Sequence, residues 1–171
     1  MDAKNPSTSA NHEFVISRVF DAPREKVWRA WTDRKELMKW FGPKGFTISH
    51  AELDLRPGGL FHYAMRTPDD HEMWGKWTFR EIVAPEKLVL ISSFSDAQGG
   101  ITRHPMSANW PLETLSTTTF EEQGGKTKLT IRWAPWNATE AERSTFAAAH
   151  SSMQQGWGGT FEQLAAYLAK P

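Results

Sequence analysis

The sequence predicts a single α+β domain in which a curved antiparallel sheet packs against a long C-terminal helix. Its 171 residues are enough for one compact domain with a sizeable core. Between residues 46 and 133, short runs rich in β-branched and aromatic residues are separated by tight-turn sequences, which is typical of an antiparallel meander. Beyond residue 139 the chain becomes rich in alanine, and its apolar residues recur at helical spacing.

The N-terminal part of the chain predicts a tail, a strand and a helix in that order. Residues 1–12 are polar and lack periodicity, so we expect a flexible tail ahead of a domain over residues 13–170. Apolar residues then alternate up to Phe20, which indicates a strand. Pro23 suits the first turn of a helix, and apolar residues at helical spacing extend that helix over residues 24–31.

A second short helix and most of the sheet follow. The helix contains Leu37 and Trp40 and ends at Gly42-Pro43. The remaining predicted strands, each bounded by glycine, proline or acidic turn residues, cover residues 46–55, 60–66, 72–83, 87–94, 112–122 and 127–133. Together with the first strand they predict a sheet of about seven strands (six to seven).

The C-terminal segment predicts one long helix from Thr139 to about Ala169. Thr139 and Glu142 have the spacing of a capping box, which begins a helix by pairing two side chains with two free backbone N–H groups. Three glycines inside the segment each lower helix propensity by about 1 kcal/mol relative to alanine. These positions, which predict a kink or a close approach to the sheet, are Gly156, Gly158 and Gly159.

Composition narrows the class of partner. The 20 basic and 20 acidic residues give no net charge to attract nucleic acid. The chain has no cysteine, which excludes disulfides and thiol chemistry and suits a reducing compartment. Because it shows neither the apolar core of a signal peptide nor a membrane span, we expect a cytoplasmic protein with no membrane partner. A monomer and a homodimer are equally compatible with the sequence.

Several short motifs, in order, resemble one known family. They are Trp40-Phe41-Gly42-Pro43, the turn at residues 54–59, Gly75 ahead of Glu81-Ile82, Pro85-Glu86-Lys87-Leu88 and Gly156-Trp157. Over residues 13–169 this pattern is similar to the homologues of the activator of Hsp90 ATPase, in the START-like (SRPBCC) superfamily. The resemblance implies a helix-grip fold with a cavity between sheet and helix, used across the superfamily for apolar or aromatic molecules.

Twelve residues are candidates for the wall of that cavity. The chain has nine tryptophans and only two tyrosines, and bulky indoles suit a wide core or a pocket wall. Strand alternation and helical spacing together with the resemblance select the candidate ligand-binding residues Trp40, Phe61, Tyr63, Trp77, Phe79, Phe94, Trp110, Trp133, Phe146, His150, Met153 and Trp157. A solid core that fills the same space is the alternative at each position.

The common catalytic and metal motifs are missing from the sequence. Its six histidines never take the His-x-x-x-His spacing of a helical metal site, so we predict no metal. No Gly-x-Ser-x-Gly elbow or phosphate loop is present, so we predict no cofactor and no catalytic residue. Asp54 and Arg56 are expected to stabilise their turn, and Glu81 is expected to bond within the sheet.

These observations favour a protein that binds an apolar or aromatic small molecule, with residues 95–111 as a movable cover. That segment is polar and rich in glycine and proline, which is typical of lids and binding loops. One alternative is an enzyme of cyclase, dehydratase or hydrolase type, in which His150 or a carboxylate such as Glu113 moves a proton. Another is a chaperone-associated module with a protein partner, which the family name connects with the stress response.

Overall fold

The computed structural model describes residues 13–105 and 107–170. The predicted flexible tail, residues 1–12, lies outside the described residues. Within the described ranges the strands are β1 (Phe14–Phe20), β2 (Thr47–Leu53), β3 (Leu60–Arg66), β4 (Glu72–Val83), β5 (Lys87–Ser95), β6 (Ile101–Thr102), β7 (Glu113–Gln123) and β8 (Lys126–Trp136). The helices are α1 (Arg24–Thr32), α2 (Arg34–Trp40), α3 (Glu140–Ala148) and α4 (His150–Leu168).

The strands form one curved antiparallel sheet with the order β1-β8-β7-β5-β4-β3-β2, and β6 pairs with β5 outside this path. The predicted helix-grip arrangement is therefore confirmed. The core lies between one face of this sheet and the helices, and both layers contribute fully buried aromatic side chains. Within the described residues, no helix is long and apolar enough to cross a membrane.

The two short helices are held together by side-chain hydrogen bonds. Asp33 ends α1 and caps α2, because its Oδ1 accepts a hydrogen bond from the Glu36 N–H at 3.1 Å. The buried indole of Trp40 donates from Nε1 to the Ala30 carbonyl at 2.9 Å. Ala30 lies in the last turn of α1, where carbonyls have no partner within the helix. Trp40, at the end of α2, therefore supplies a hydrogen-bond donor to a carbonyl at the end of α1.

The C-terminal segment differs from its prediction. The capping box of Thr139 and Glu142 is confirmed. The single helix predicted up to Ala169 is wrong, because the segment forms two helices that meet at Ala149. The Ala149 N–H donates to the Phe146 carbonyl at 3.1 Å, three residues back, which tightens the last turn of α3 and ends it.

The three glycines predicted to kink this segment lie inside α4 instead. A Cβ added at Gly156 or Gly158 would meet nothing within 4 Å, so neither position requires glycine for a close approach. At Gly159 an added Cβ would make ordinary contact with Lys44 in the loop after α2, at 3.5 Å. The helix is therefore interrupted at an alanine and continues through the glycines.

The predicted structural roles of Asp54, Arg56 and Glu81 are confirmed. Arg56 Nε donates to Asp54 Oδ2 at 2.8 Å, and Glu81 pairs with Lys87 on the next strand at 3.2 Å. Gly59 has no room for a side chain, because an added Cβ would lie 2.1 Å from the Asp54 carbonyl oxygen. This turn leads directly into β3, so it sets the start of a strand that contributes to the site described next.

Candidate functional site

A cavity of about 340 Å³ lies between the inner face of the sheet and the helices. Strands β3, β4, β5, β7 and β8 all contribute to its wall. The helical layer contributes Trp31 from α1 and Trp157 from α4. The segment between β6 and β7 contributes His104 and Trp110. Most of the strand residues at the cavity alternate along their strand, because successive side chains point to opposite faces of a sheet. Trp74 and Ser93 have the opposite parity and only border the cavity.

The structure brings half of the twelve candidate residues to the cavity. The six that line it are Tyr63, Trp77, Phe94, Trp110, Trp133 and Trp157. The other six do not line it, and five of these are buried in the surrounding core: Trp40, Phe61, Phe79, Phe146 and Met153. The sixth, His150, packs its ring against Phe14 and Phe146, with centroid distances of 5.6 and 5.8 Å.

Trp31, which sequence reasoning did not select, stands at the centre of an aromatic stack. Its ring lies nearly parallel to those of Trp77 and Trp157, with centroids 6.2 Å away in both cases. The side chain is 2% exposed. Its Nε1–H is buried and has no acceptor among the described residues. A buried donor without an acceptor is uncommon, because losing its water partners costs free energy.

Tyr63 occupies its place because Gly75 lies opposite it on β4. A Cβ at Gly75 would lie 2.4 Å from the Tyr63 hydroxyl oxygen, so only glycine leaves room for this ring. Tyr63 also stacks on Phe61 with a centroid distance of 4.9 Å. Burial raises the pKa of Tyr63 well above its ordinary value, although a hydrogen bond with Trp77 acts in the opposite direction. The cavity wall therefore carries a neutral phenol.

Five residues with hydroxyl side chains, which the sequence analysis missed, border the cavity: Ser92 and Ser93 on β5, and Thr114, Ser116 and Thr118 on β7. The Ser92 and Thr114 hydroxyls lie 2.6 Å apart and form one hydrogen bond. Phe120, a buried core residue, shares the parity of the three β7 hydroxyls and so points to the same face. That parity is the sequence signal that could have identified them.

The segment over residues 95–111, which the sequence predicts as a lid or binding loop, contains a short strand. β6 pairs with β5 inside it, and Asp96 Oδ1 accepts from the Gln98 and Gly100 N–H groups at 2.9 and 2.8 Å. Further along, Arg103 bonds to Glu142, the buried carboxylate of the α3 capping box. The segment is therefore anchored to the sheet at one end and to α3 near its middle.

Two aromatic side chains project from this segment toward the cavity. Trp110 packs on Phe146 and Trp133, with centroid distances of 5.4 and 6.1 Å. His104 lies 4.8 Å from the ring of Phe94, and burial lowers the pKa of His104 below its ordinary 6.5. A neutral imidazole consequently faces the cavity at neutral pH.

Replacing Arg103 with alanine is expected to destabilise the protein by about 1 kcal/mol at neutral pH. The hydrogen bond from Arg103 is the largest cause of the lowered pKa of Glu142. Since this pKa is lower in the folded state than its ordinary 4.5, the contribution is present above that pH and is lost as the pH falls through the folded-state value. Urea denaturation of wild type and R103A across this range measures the difference.

Arg132→Ala is the matched control, because Arg132 pairs with Glu13 at 3.1 Å in an ion pair at the surface. Its loss is expected to change the free energy of unfolding by less than about 0.5 kcal/mol. A difference between wild type and R103A that stays constant down to acidic pH would contradict the assigned role of Glu142.

The ionisable groups at the cavity bear on the enzymatic alternative. Among the described lining residues, only Tyr63 and His104 titrate, and none is a carboxylate. Glu113 and His150, the two proton carriers that this alternative named, are not among the lining residues. Neither of these two proton carriers therefore reaches the cavity.

Comparison with known proteins gives one family and many similar structures. The family model described as "Activator of Hsp90 ATPase homolog 1-like protein" matches residues 21–169. A solution structure from Arthrobacter aurescens is 28% identical, with a TM-score of 0.75 over 95% of this chain and 89% of that one. A crystal structure from Nitrosomonas europaea is 26% identical, with a TM-score of 0.72 over 93% and 95%.

A crystal structure from Mycobacterium smegmatis is 23% identical, with a TM-score of 0.75 over 100% of this chain and 98% of that one, which shows the shared fold. No curated protein matches the chain. Each of these three similarities spans at least 89% of both chains.

Proposed function

Because the chain belongs to the activator of Hsp90 ATPase homolog 1-like family, we propose that it binds an apolar or aromatic small molecule between its sheet and C-terminal helix. One observation carries the proposal: five of the nine tryptophans meet on the inner side of the sheet, at a single cavity of about 340 Å³. They are Trp31, Trp77, Trp110, Trp133 and Trp157. A fold that needed indoles only for packing would have no reason to leave this space between them.

The volume of the cavity limits the size and the affinity of the ligand. Small-molecule sites commonly enclose about 300–1,000 Å³, so this one suits a compact molecule. A ligand that loses about 300 Å² of apolar surface gains roughly 7–8 kcal/mol before the cost of association. After an association cost of at least about 4 kcal/mol, apolar burial alone supports an affinity in the millimolar range, so tighter binding would also use the polar groups of the wall.

The polar groups in the wall indicate what else the ligand carries. Trp31 Nε1–H is a donor in need of an acceptor, and the Tyr63 phenol stays neutral. The β7 hydroxyls donate and accept. A flat, mostly apolar molecule with a carbonyl, ether or hydroxyl oxygen would satisfy these groups, whereas a strongly anionic one would find no lysine or arginine among the described lining residues.

Residues 103–105 and 107–111 supply the proposed cover. They carry His104 and Trp110 to the cavity, and Arg103 ties them to Glu142 on α3. Opening this cover requires breaking that ion pair and withdrawing Trp110 from Phe146. A binding site with a hinged cover can admit a ligand that its closed form surrounds.

A ligand screen tests the proposal. Aromatic and lipid-like compounds are added to the purified protein, and tryptophan fluorescence and the melting temperature are followed together. A true ligand quenches the fluorescence of the tryptophans that it contacts. It also raises the melting temperature, since it binds only the folded state. Native mass spectrometry of freshly purified protein adds the mass of any molecule carried from the cell. Silence in all three measurements across a broad library would contradict the proposal.

Ser116→Leu is expected to weaken binding of an uncharged aromatic probe such as N-phenyl-1-naphthylamine. The leucine adds three carbon atoms to a side chain that lines the cavity, so it occupies the space of the ligand while burying apolar surface. We expect at least a tenfold loss of affinity, measured by fluorescence titration, with little change in melting temperature.

Thr117→Leu is the matched control, because Thr117 is the next residue on β7 and points to the other face of the sheet. It adds similar apolar bulk outside the cavity and should leave the affinity unchanged. Equal affinities in the two variants would place the probe somewhere other than the cavity.

A further inference from the structure

A second cluster of functional side chains lies on the outer face of the sheet. Glu52 on β2 and His62 on β3 are direct cross-strand partners. His50 precedes Glu52 by two residues, so both side chains point to the same face. Phe61 and Tyr63, the neighbours of His62, point toward the core and the cavity. The cluster therefore lies on the other side of the sheet from the proposed ligand site.

The ligand atoms of these three residues converge on one point. One nitrogen from each imidazole and one carboxylate oxygen all lie within 4.8 Å of one another. His50 Nε2 lies 3.2 Å from Glu52 Oε1, and His62 Nδ1 lies 3.6 Å from the same oxygen. A tetrahedral zinc site with bonds of about 2.0–2.1 Å has edges of about 3.3–3.4 Å. Both distances are close to such an edge before any ion is bound.

The second nitrogen of His62 determines which ring atom is free to bind a cation. The side chain is buried, and Nε2 lies 3.0 Å from the Asp96 carbonyl oxygen. A carbonyl can only accept a hydrogen bond, so Nε2 carries the proton and the lone pair of Nδ1 points toward Glu52. Metal-binding histidines commonly donate their other ring N–H to a carbonyl or carboxylate in this way.

The charges around the cluster favour a bound cation. The Glu52 carboxylate is exposed, and an exposed glutamate is ordinarily ionised at neutral pH. A lone pair on Nδ1 and an anionic oxygen 3.6 Å away repel each other unless a proton or a metal ion lies between them. Lys76, the cross-strand partner of His62 on β4, directs its ammonium group to the Gly99 carbonyl at 3.1 Å.

Trp74 holds both imidazole rings in place. Its ring stacks on that of His62 with a centroid distance of 5.0 Å and lies 5.2 Å from that of His50. The turn that begins at Asp96 covers His62 from the other side, and its own backbone is fixed by the Asp96 side chain. The two rings are thus oriented before a metal arrives, which lowers the cost of ordering them.

We propose that His50, Glu52 and His62 bind one divalent transition-metal ion of the Zn²⁺ class. Two imidazoles and one carboxylate are ligands that Zn²⁺ accepts, and three protein ligands leave a further coordination position for water. The sequence prediction of no metal considered only the helical His-x-x-x-His spacing. The residues proposed here use the two-residue repeat of a strand and a partner from the adjacent strand.

Isothermal titration calorimetry of the full, tag-free chain with zinc chloride at neutral pH tests the site. We expect one Zn²⁺ per chain. His50→Ala and Glu52→Gln should each weaken binding by at least about tenfold, a loss typical of disturbed metal sites. Both side chains are partly or largely exposed, so these variants are expected to melt at the wild-type temperature without metal. Lowering the pH should release the ion, because a protonated imidazole cannot coordinate it.

His71→Ala is the matched control. His71 Nδ1 lies 3.2 Å from Asp69 Oδ2 in an exposed pair, and among the described residues no third metal-ligating side chain joins this pair. The H71A variant should bind Zn²⁺ with the same affinity as wild type. Co²⁺ adds a spectroscopic readout, since its visible absorption reports coordination by nitrogen and oxygen ligands. Failure to bind Zn²⁺, an undiminished affinity in H50A and E52Q, or an equal loss in H71A would overturn the proposal.

Discussion

Replacing Trp40 with phenylalanine is expected to lower the free energy of unfolding by about 3 kcal/mol. The change removes the hydrogen bond from Nε1 to the Ala30 carbonyl and leaves that buried oxygen at the end of α1 without its partner. It also removes part of a side chain that is 1% exposed, which opens a small void in the core. Urea denaturation followed by far-ultraviolet circular dichroism measures the effect.

Trp31→Phe is the matched comparison, because it deletes the same atoms from a residue with nearly the same burial. The Nε1–H of Trp31 has no acceptor among the described residues, so its removal breaks no hydrogen bond in the folded protein. We expect a loss of about 1 kcal/mol from packing alone. Equal losses in W31F and W40F would show that the cap on Ala30 contributes nothing.

Gly75→Ala is expected to destabilise the protein by about 1–3 kcal/mol and to weaken binding of an aromatic probe at the cavity. The added methyl group would lie within 2.9 Å of the hydroxyl oxygen and two ring carbons of Tyr63, so this side chain must leave its present position. Tyr63 contributes to the cavity wall and stacks on Phe61, so its displacement disturbs both the site and the core. Thermal denaturation and fluorescence titration follow the two effects.

A double-mutant cycle with Tyr63→Ala assigns the cause. Without the ring, Gly75→Ala loses its steric conflict and gains the usual advantage of alanine over glycine in a strand, about 0.5–1 kcal/mol. The substitution should therefore be neutral or stabilising in the Y63A background. A loss as large as that in the wild-type background would show that the backbone at Gly75, rather than Tyr63, requires glycine.

The sheet was predictable from the sequence because its determinants are local. Alternating apolar residues specify β3 and β4, and the turn chemistry at residues 54–59 specifies where β3 begins. The capping box at Thr139 was equally readable, since two residues three positions apart contain the whole signal. Each of these features depends on neighbours along the chain, and the predicted strands match the structure to within a few residues.

The features that sequence reasoning missed depend on contacts between distant parts of the chain. No glycine or proline marks the break at Ala149. β6 is two residues long and exists because it pairs with β5. Trp31 reaches the cavity only because α1 packs against the sheet and α4, which its helical spacing does not reveal. Tertiary packing overrides local patterns at such positions.

The candidate site was predictable as a region but not in its details. Six of the twelve candidates reach the cavity, because strand parity identifies the inner face. Parity does not show how far along a strand the cavity extends, so Phe61 and Phe79 were selected although they pack in the core. The hydroxyls on β7 were passed over because polar residues on a strand normally indicate the solvent face.

The three stacked indoles give the domain a fixed internal dimension. Trp77 belongs to the sheet, Trp157 to the C-terminal helix, and Trp31 stands between them with both centroids 6.2 Å away. Planar rings have few conformations and cannot shorten as an aliphatic side chain can. They act as rigid spacers that keep the layers apart whether or not a guest is present. On the proposed function, such a gap discriminates by molecular thickness, admitting planar molecules and rejecting globular ones of equal volume.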